Sequence, residues 1–80
     1  MRILDFYAEW CQPCKALSKT LEAFENVEKV NIEENDDLVT KYNIRTVPTL
    51  IFLNDDNEEV NRLVGNVPKS KIDEVCSLIN

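Results

Sequence analysis

The sequence predicts an α/β domain in which a mixed four-stranded sheet carries helices on both faces, in the order β-α-β-α-β-β-α. Two compact apolar runs, residues 2–7 and 49–53, are typical of strands that are buried on both faces. Between them, apolar residues recur at steps of three and four, which is the spacing of an amphipathic helix. Four polar residues at 54–57 predict a tight turn, which makes the last two strands antiparallel.

The first two predicted elements are a strand and a helix. Arg2–Tyr7 is mostly apolar and predicts a strand. Asn26 is expected to end the helix that follows, because asparagine tolerates the left-handed backbone conformation found after many helices. The predicted buried face of this helix consists of Cys14, Leu17, Leu21 and Phe24.

The second strand and the second helix are expected to be short. Residues 27–32 predict a strand that pairs in parallel with the first one through a right-handed crossover. Asn35 is expected to cap a helix whose first turn is acidic, and Asn43 is expected to end it. The apolar side of this helix consists of Leu38, Val39 and Tyr42.

The last three elements form a hairpin and a helix. Thr49–Leu53 gives the strongest strand signal, because four of its five residues are apolar. Glu59–Val64 is expected to return antiparallel to it, and its polarity predicts a strand at the edge of the sheet. The buried stripe of the final helix consists of Ile72, Val75, Cys76 and Ile79.

Length and charge narrow the possible functions. A chain of 80 residues has room for one core, so residues 1–80 are expected to form a single domain. Nine basic and fifteen acidic residues give a net charge of −6, which argues against nucleic acid or anionic lipid as a partner. No apolar stretch approaches the ~20 residues that span a bilayer. Residues 1–7 lack the pattern of a signal peptide, so the expected location is cytoplasmic.

Two cysteines carry the chemistry, in the segment Trp-Cys-Gln-Pro-Cys-Lys at residues 10–15. A Cys-x-x-Cys pair can be half of a zinc site, but such sites use four ligands. Cys76 is the only other cysteine and the chain has no histidine, so no metal site is expected. Two buried cysteines without a function are the other alternative. The position between a strand and a helix favours a redox pair.

The start of a helix gives the two sulfurs different expected roles. Cys11 lies at the open N-terminus, where unpaired N–H groups and the helix dipole favour a thiolate. Cys14 lies one turn inside and is expected to be mostly covered. We therefore expect Cys11 to attack a disulfide and Cys14 to resolve the product. Closing so small a ring stabilises the fold by only about 2 kcal/mol, so the pair suits a reversible electron carrier better than a structural crosslink.

Two separated motifs resemble the thioredoxin family. Residues 5–15, Asp-Phe-Tyr-Ala-Glu-Trp-Cys-Gln-Pro-Cys-Lys, are similar to its active-site segment, and residues 46–49, Thr-Val-Pro-Thr, to its second signature. The resemblance covers essentially the whole chain, in a short, glutaredoxin-sized version without the family's extra N-terminal strand and helix. It implies a thioredoxin-like fold. It also implies an enzyme, a thiol-disulfide oxidoreductase that reduces protein disulfides through a Cys11–Cys14 dithiol/disulfide cycle.

The resemblance also implies how electrons reach this redox-active centre. No cofactor is bound to the domain itself, and a thioredoxin reductase that uses flavin and NADPH, or another donor, regenerates the dithiol. The partners are then this reductase and disulfide-containing substrate proteins, with a role in electron transport and cell redox homeostasis. Neither nucleic acid nor membrane is expected as a partner, and the protein is expected to be a monomer.

Further site residues follow from the resemblance. It implies that Asp5 lies beneath the disulfide and exchanges a proton with Cys14, whereas the residue pattern alone leaves open that Asp5 faces solvent. It implies a cis bond before Pro48, which turns the backbone of Val47 toward Cys11 so that a substrate segment pairs with it. The implied substrate-binding residues are Trp10, Gln12, Pro13, Val47, Pro48 and Gly65.

Two departures from the family and two alternatives remain. Gln12 replaces the usual glycine between the cysteines, which leaves the redox potential open. The missing N-terminal strand exposes residues 27–32 as an edge, which is the argument for a dimer. The alternative functions are a glutaredoxin-like enzyme recharged by glutathione, which Trp10 and Gln12 argue against, and a non-catalytic thioredoxin-fold binding module. Cys76 is expected to be a core residue.

Overall fold

A computed structural model describes residues 1–79 and contains the seven predicted elements in the predicted order. The strands are β1 (Arg2–Tyr7), β2 (Val27–Asn31), β3 (Thr49–Leu53) and β4 (Glu59–Val64). The helices are α1 (Gln12–Leu21), α2 (Asp36–Lys41) and α3 (Lys69–Ile79). No helix within these 79 residues is long and apolar enough to cross a membrane.

The four strands form one mixed sheet in the spatial order β2-β1-β3-β4. β1 runs parallel to β2 and antiparallel to β3, and β3 runs antiparallel to β4. The predicted turn joins β3 to β4: the side-chain oxygen of Asn54 accepts hydrogen bonds from the amides of Asp56 and Glu58, and Asn57 has a positive φ of 61°. β2 and β4 are therefore the edges, and the predicted fold class is confirmed.

Helices cover both faces of the sheet, because side chains along each strand alternate between the two sides. On one face, α1 and α3 bury a cluster made of Ile3, Leu17, Leu21, Leu50, Phe52, Ile72 and Val75. On the other face, Leu38 and Val39 of α2, together with Ile32 and Ile44, pack against a cluster made of Leu4, Phe6, Val30, Tyr42, Ile51 and Leu53. The two apolar clusters hold β1 and α1 in place, and these elements carry the cysteine motif between them.

The first helix is shorter than its apolar spacing predicts. α1 ends at Leu21. The amide of Phe24 donates to the carbonyl of Leu21, three residues back, as in a tight 3₁₀-like turn. Phe24 still packs against the core, so its apolar contact is kept without a further turn of α-helix. The expectation that Asn26 ends the helix is therefore wrong, although Asn26 does have the left-handed backbone conformation, with a φ of 60°.

The second helix corrects one prediction and confirms another. Asn35 lies at the start of α2 but does not cap it, because its side-chain amide instead donates to the backbone carbonyl of Asn31 at 2.9 Å. Asn43 ends the helix with a φ of 53°. The amide of Ile44 then donates back to the carbonyl of Val39, which satisfies a free helix carbonyl.

Candidate active site

The cysteine pair lies at the N-terminus of α1, directly beyond β1. Cys11 is the residue that precedes the helix, with φ −91° and ψ 107°, and its sulfur accepts a hydrogen bond from the amide of Cys14 at 3.2 Å. Pro13 lies in the first turn, where its missing N–H leaves no helix bond unmade. The two Cα atoms are 5.3 Å apart and the sulfurs are at disulfide distance, so the structure shows the oxidised form.

Exposure does not separate the two cysteines. Cys14 is 3 % exposed, so it is covered as expected, but Cys11 is also covered in the oxidised form, at 4 % exposed. The cause is packing, because Ile32 and Val47 pack against the cluster formed by Ala8, Cys11 and Cys14. What distinguishes Cys11 is its place at the helix terminus, where its sulfur faces a backbone N–H.

Asp5 is buried in the middle of β1. It is 1 % exposed, which excludes the solvent-facing alternative, and neither carboxylate oxygen has a hydrogen-bond partner in the described chain. Its neighbours across the sheet are Lys29 of β2 and Leu50 of β3, on the face that α1 and α3 cover. Burial raises the pKa of Asp5 from 3.8 to about 6, and the positive charge of Lys29 opposes this rise. Asp5 therefore titrates within reach of neutral pH.

A loop before β3 brings the second motif to the cysteines. The Val47–Pro48 peptide bond is cis, as the resemblance implies, and Val47 packs against the cysteine pair. The carbonyl of Pro48 accepts a hydrogen bond from the amide of Gly65 at 2.9 Å. Gly65 has a φ of 92°, a conformation that favours glycine. The end of β4 is therefore bonded to the loop that contacts the cysteines.

Trp10 provides the most exposed apolar surface beside the pair. Its side chain is 65 % exposed, and Gln12 and Pro13 are also exposed. A cavity of about 260 Å³ lies next to it, lined by Trp10, Ile32, Val39, Ile44, Arg45, Thr46 and Val47. Of the predicted substrate-binding residues, Trp10 and Val47 thus share one cavity, while Gly65 joins them through its hydrogen bond to Pro48.

Several residues at the site were not predicted from the sequence. Tyr7 and Ile32 pack against the cysteine pair, and Ser18 accepts a hydrogen bond from the ammonium group of Lys29. Ile32 follows β2 directly. Because the carboxyl ends of parallel strands meet at one edge of a sheet, its position after β2 was a usable signal. Ser18 had no such signal, because its contact depends on how α1 lies over β2.

The remaining cysteine lies away from this site. Cys76 is partly exposed on α3 and packs against the core. Burial, together with the negative charge of Asp73, raises the pKa of the Cys76 thiol. Within residues 1–79, no group of three or more His, Cys, Asp or Glu side chains is arranged to hold a metal ion.

Comparisons with known proteins agree with this geometry. A sequence model of the Thioredoxin family matches residues 1–77. The chain is 39 % identical over 77 residues to thioredoxin C-2 of Corynebacterium nephridii, covering 88 % of this chain and 70 % of that protein. It is also 39 % identical to a thioredoxin of Chlamydia caviae, with 98 % of this chain and 78 % of that protein covered.

Solved structures give the same result. A mutant thioredoxin from Halobacterium salinarum NRC-1 superposes with a TM-score of 0.87 at 32 % identity, covering 96 % of this chain and 72 % of that one. Fasciola hepatica thioredoxin also gives a TM-score of 0.87, at 28 % identity, with 98 % and 79 % covered. With the Cys11–Cys14 pair at disulfide distance, these findings make the protein a thiol-disulfide oxidoreductase. The chain belongs to the thioredoxin family.

Proposed function

We propose that the protein reduces disulfides of other proteins, with Cys11 as the attacking sulfur and Cys14 as the resolving one. The observation that supports these roles most directly is the position of Cys11 at the start of α1, where its sulfur accepts a hydrogen bond from the Cys14 amide. The same N–H group and the helix dipole stabilise a negative charge on that sulfur once the disulfide is reduced.

The reaction transfers two electrons in two exchanges. The Cys11 thiolate attacks one sulfur of the substrate disulfide, a mixed disulfide forms, and the other substrate sulfur leaves as a thiolate that takes up a proton. Cys14 then loses its proton and attacks the Cys11 sulfur. This step releases the second substrate thiolate and leaves the Cys11–Cys14 disulfide. Because Cys14 is three residues from Cys11, the second exchange is intramolecular and therefore fast.

Asp5 accepts the proton that Cys14 loses. A carboxylate with a pKa of about 6 is mostly ionised at neutral pH yet still basic enough to take a proton from a nearby thiol. Its burial without a hydrogen-bond partner supports this role, because an unpartnered buried carboxylate is costly to keep for packing alone.

The substrate binds across the exposed apolar surface beside the pair. Trp10 and Val47 line the adjacent cavity, and Gln12 and Pro13 are exposed at the helix terminus. Gly65, bonded to Pro48, borders the same loop. A substrate segment in extended conformation pairs with the backbone of Val47, in the manner of an added strand.

The electron donor is a reductase that uses flavin and NADPH, and the protein acts as a monomer in the cytoplasm. Support for a monomer comes from β2, an open edge whose exposed Glu28 and Lys29 are charged. Charged side chains, lysine above all, discourage pairing of one sheet edge with another.

Insulin reduction tests this function. The protein with a thioredoxin reductase and NADPH is compared with the protein with glutathione and glutathione reductase. Reduction is expected with the first system, and reduction with glutathione alone would identify a glutaredoxin-like enzyme instead. Cys11→Ser is expected to abolish activity, while Cys76→Ser, the matched control away from the site, retains it. No reduction of insulin by the parent protein with either system would indicate a non-catalytic binding module.

A further inference from the structure

Lys29 and Asp5 are neighbours that do not pair. They lie opposite each other in the parallel register of β1 and β2, so both side chains leave the same face of the sheet. Yet both oxygens of Asp5 lack a hydrogen-bond partner in the described chain. An ammonium group adjacent to a buried, unpartnered carboxylate is strongly attracted to it, because the carboxylate has lost its water. Something must therefore hold the ammonium group elsewhere.

Two side chains hold it. The ammonium group of Lys29 donates a hydrogen bond to the hydroxyl of Ser18 in α1, and it lies 5.3 Å from the centre of the Tyr7 ring. The hydroxyl supplies a directed acceptor on the helix, and the ring supplies a weaker electrostatic attraction. Ser18 is one helical turn beyond Cys14 on the same side of α1, and both line a cavity of about 570 Å³ together with Lys29.

We propose that Ser18 is a positioning residue that diverts Lys29 from Asp5, so that Asp5 stays unpaired and available as a proton acceptor. This inference rests on the proposed role of Asp5. A direct Asp5–Lys29 ion pair would hold the carboxylate ionised and make it a poor base, since a near opposite charge lowers a carboxyl pKa by about one unit or more. With the ammonium group of Lys29 bonded to Ser18, the burial of Asp5 outweighs the charge of Lys29, and the pKa of Asp5 stays high.

Among the groups near Asp5, Lys29 is the charge that affects the carboxylate most. At this level of the sheet, β3 and β4 contribute Leu50 and Leu63. In the oxidised protein, Cys14 is in the disulfide and does not titrate. Tyr7 lies beside Asp5 on β1, and the exposed Glu9, Lys15, Lys19 and Glu22 lie around the cavity. On α3, the titratable side chains are Cys76, which packs against the core, and the exposed Lys69, Lys71, Asp73 and Glu74.

Titration of the Asp5 carboxyl carbon by NMR in the oxidised protein tests the inference without interference from the thiols of Cys11 and Cys14. Ser18→Ala removes the acceptor, so Lys29 moves onto Asp5 and the midpoint falls by about one pH unit. Ser18→Thr keeps a hydroxyl and is expected to leave the midpoint unchanged. Lys29→Gln is expected to raise the midpoint, and the double variant should match Lys29→Gln alone. Ser77→Ala, which removes a hydroxyl from α3, is the control without effect.

The test is decisive because Ser18→Ala and Lys29→Gln are expected to shift the Asp5 midpoint in opposite directions. An unchanged midpoint in Ser18→Ala, or a midpoint that rises there as in Lys29→Gln, would overturn the proposal. The pH profile of insulin reduction then tests the proposed role of Asp5 separately from the role of Ser18. If the profile follows the NMR midpoints across the variants, both stand. If the midpoints move as expected and the profile does not, Ser18 diverts Lys29 but Asp5 is not the base, so the claim that the diversion serves proton transfer is overturned.

Discussion

The amide of Gly65 donates a 2.9 Å hydrogen bond to the carbonyl of Pro48, and this bond joins the end of β4 to the loop that packs against the cysteine pair. The two residues are 17 positions apart in sequence and belong to different segments of the site. Because Val47 precedes Pro48 and packs against the cluster that contains the cysteines, the position of β4 is linked to the position of this loop.

Replacing Gly65 with a residue that has a Cβ is expected to strain the backbone at this hydrogen bond. A φ of 92° is unfavourable for any residue with a Cβ, although a Cβ built here would meet no atom within 4 Å. Gly65→Ala is therefore expected to lower the free energy of unfolding by about 1–2 kcal/mol through backbone strain rather than a clash. Urea denaturation measures this change, with the neighbouring exposed Asn66→Ala as control. Equal stability of Gly65→Ala and the parent protein would contradict the account.

Removing the Asp5 carboxylate is expected to stabilise the protein in a pH-dependent way. The folded-state pKa of about 6 lies above the unfolded value of 3.8, so between these pH values the folded protein keeps a proton that the unfolded chain has lost. Stability from this group is therefore complete below pH 3.8 and lost as pH rises through 6. Asp5→Asn cannot ionise and avoids the loss, which amounts to about 3 kcal/mol at neutral pH.

Urea denaturation at several pH values checks this prediction. The gain from Asp5→Asn is expected to be near zero at about pH 3.5 and full above about pH 7. Asp37→Asn, at an exposed position in α2, is the matched control and should give no such trend. A gain of the same size at every pH, or a loss at neutral pH, would show that burial does not raise the pKa of Asp5.

Trp10 is expected to matter for substrates and not for folding. Because its side chain is 65 % exposed, Trp10→Ala should change the free energy of unfolding by less than about 0.5 kcal/mol. Loss of an aromatic contact at the centre of a binding surface is expected to lower kcat/KM for insulin about tenfold. Leu78→Ala, at an apolar residue of α3 that is 73 % exposed, serves as control. A similar loss of activity in Trp10→Ala and Leu78→Ala would show that Trp10 has no specific role in substrate binding.

The fold was predictable from the sequence because its main signals are local. The apolar run of Thr49–Leu53 and the four-residue polar turn after it identify the central hairpin, and both lie where they were predicted. The end of α1 was less predictable, because Phe24 keeps its core contact through a tight turn as well as through a helix. Asn35 was misread because asparagine bonds equally well to a helix amide or to a nearby carbonyl.

From residue spacing alone, the site was predictable only where its residues are close in sequence; the position of Val47 beside the cysteines came from the resemblance to the thioredoxin family. Cys11 and Cys14 lie three positions apart, so their pairing follows from the motif. The contact between Ser18 and Lys29 joins α1 to β2, and the packing of Ile32 against the cysteine cluster joins two further segments. Such contacts depend on how the elements pack, which residue spacing does not specify.

Alkylation of the reduced protein at neutral pH tests the central claim most directly, with the site of labelling read by mass spectrometry over time. Cys76 is an internal reference, because burial and Asp73 raise the pKa of its thiol and slow its reaction. We expect Cys11 to be labelled first, well ahead of both Cys14 and Cys76. Labelling of Cys14 before Cys11, or of Cys11 no faster than Cys76, would contradict the assignment of Cys11 as the attacking sulfur.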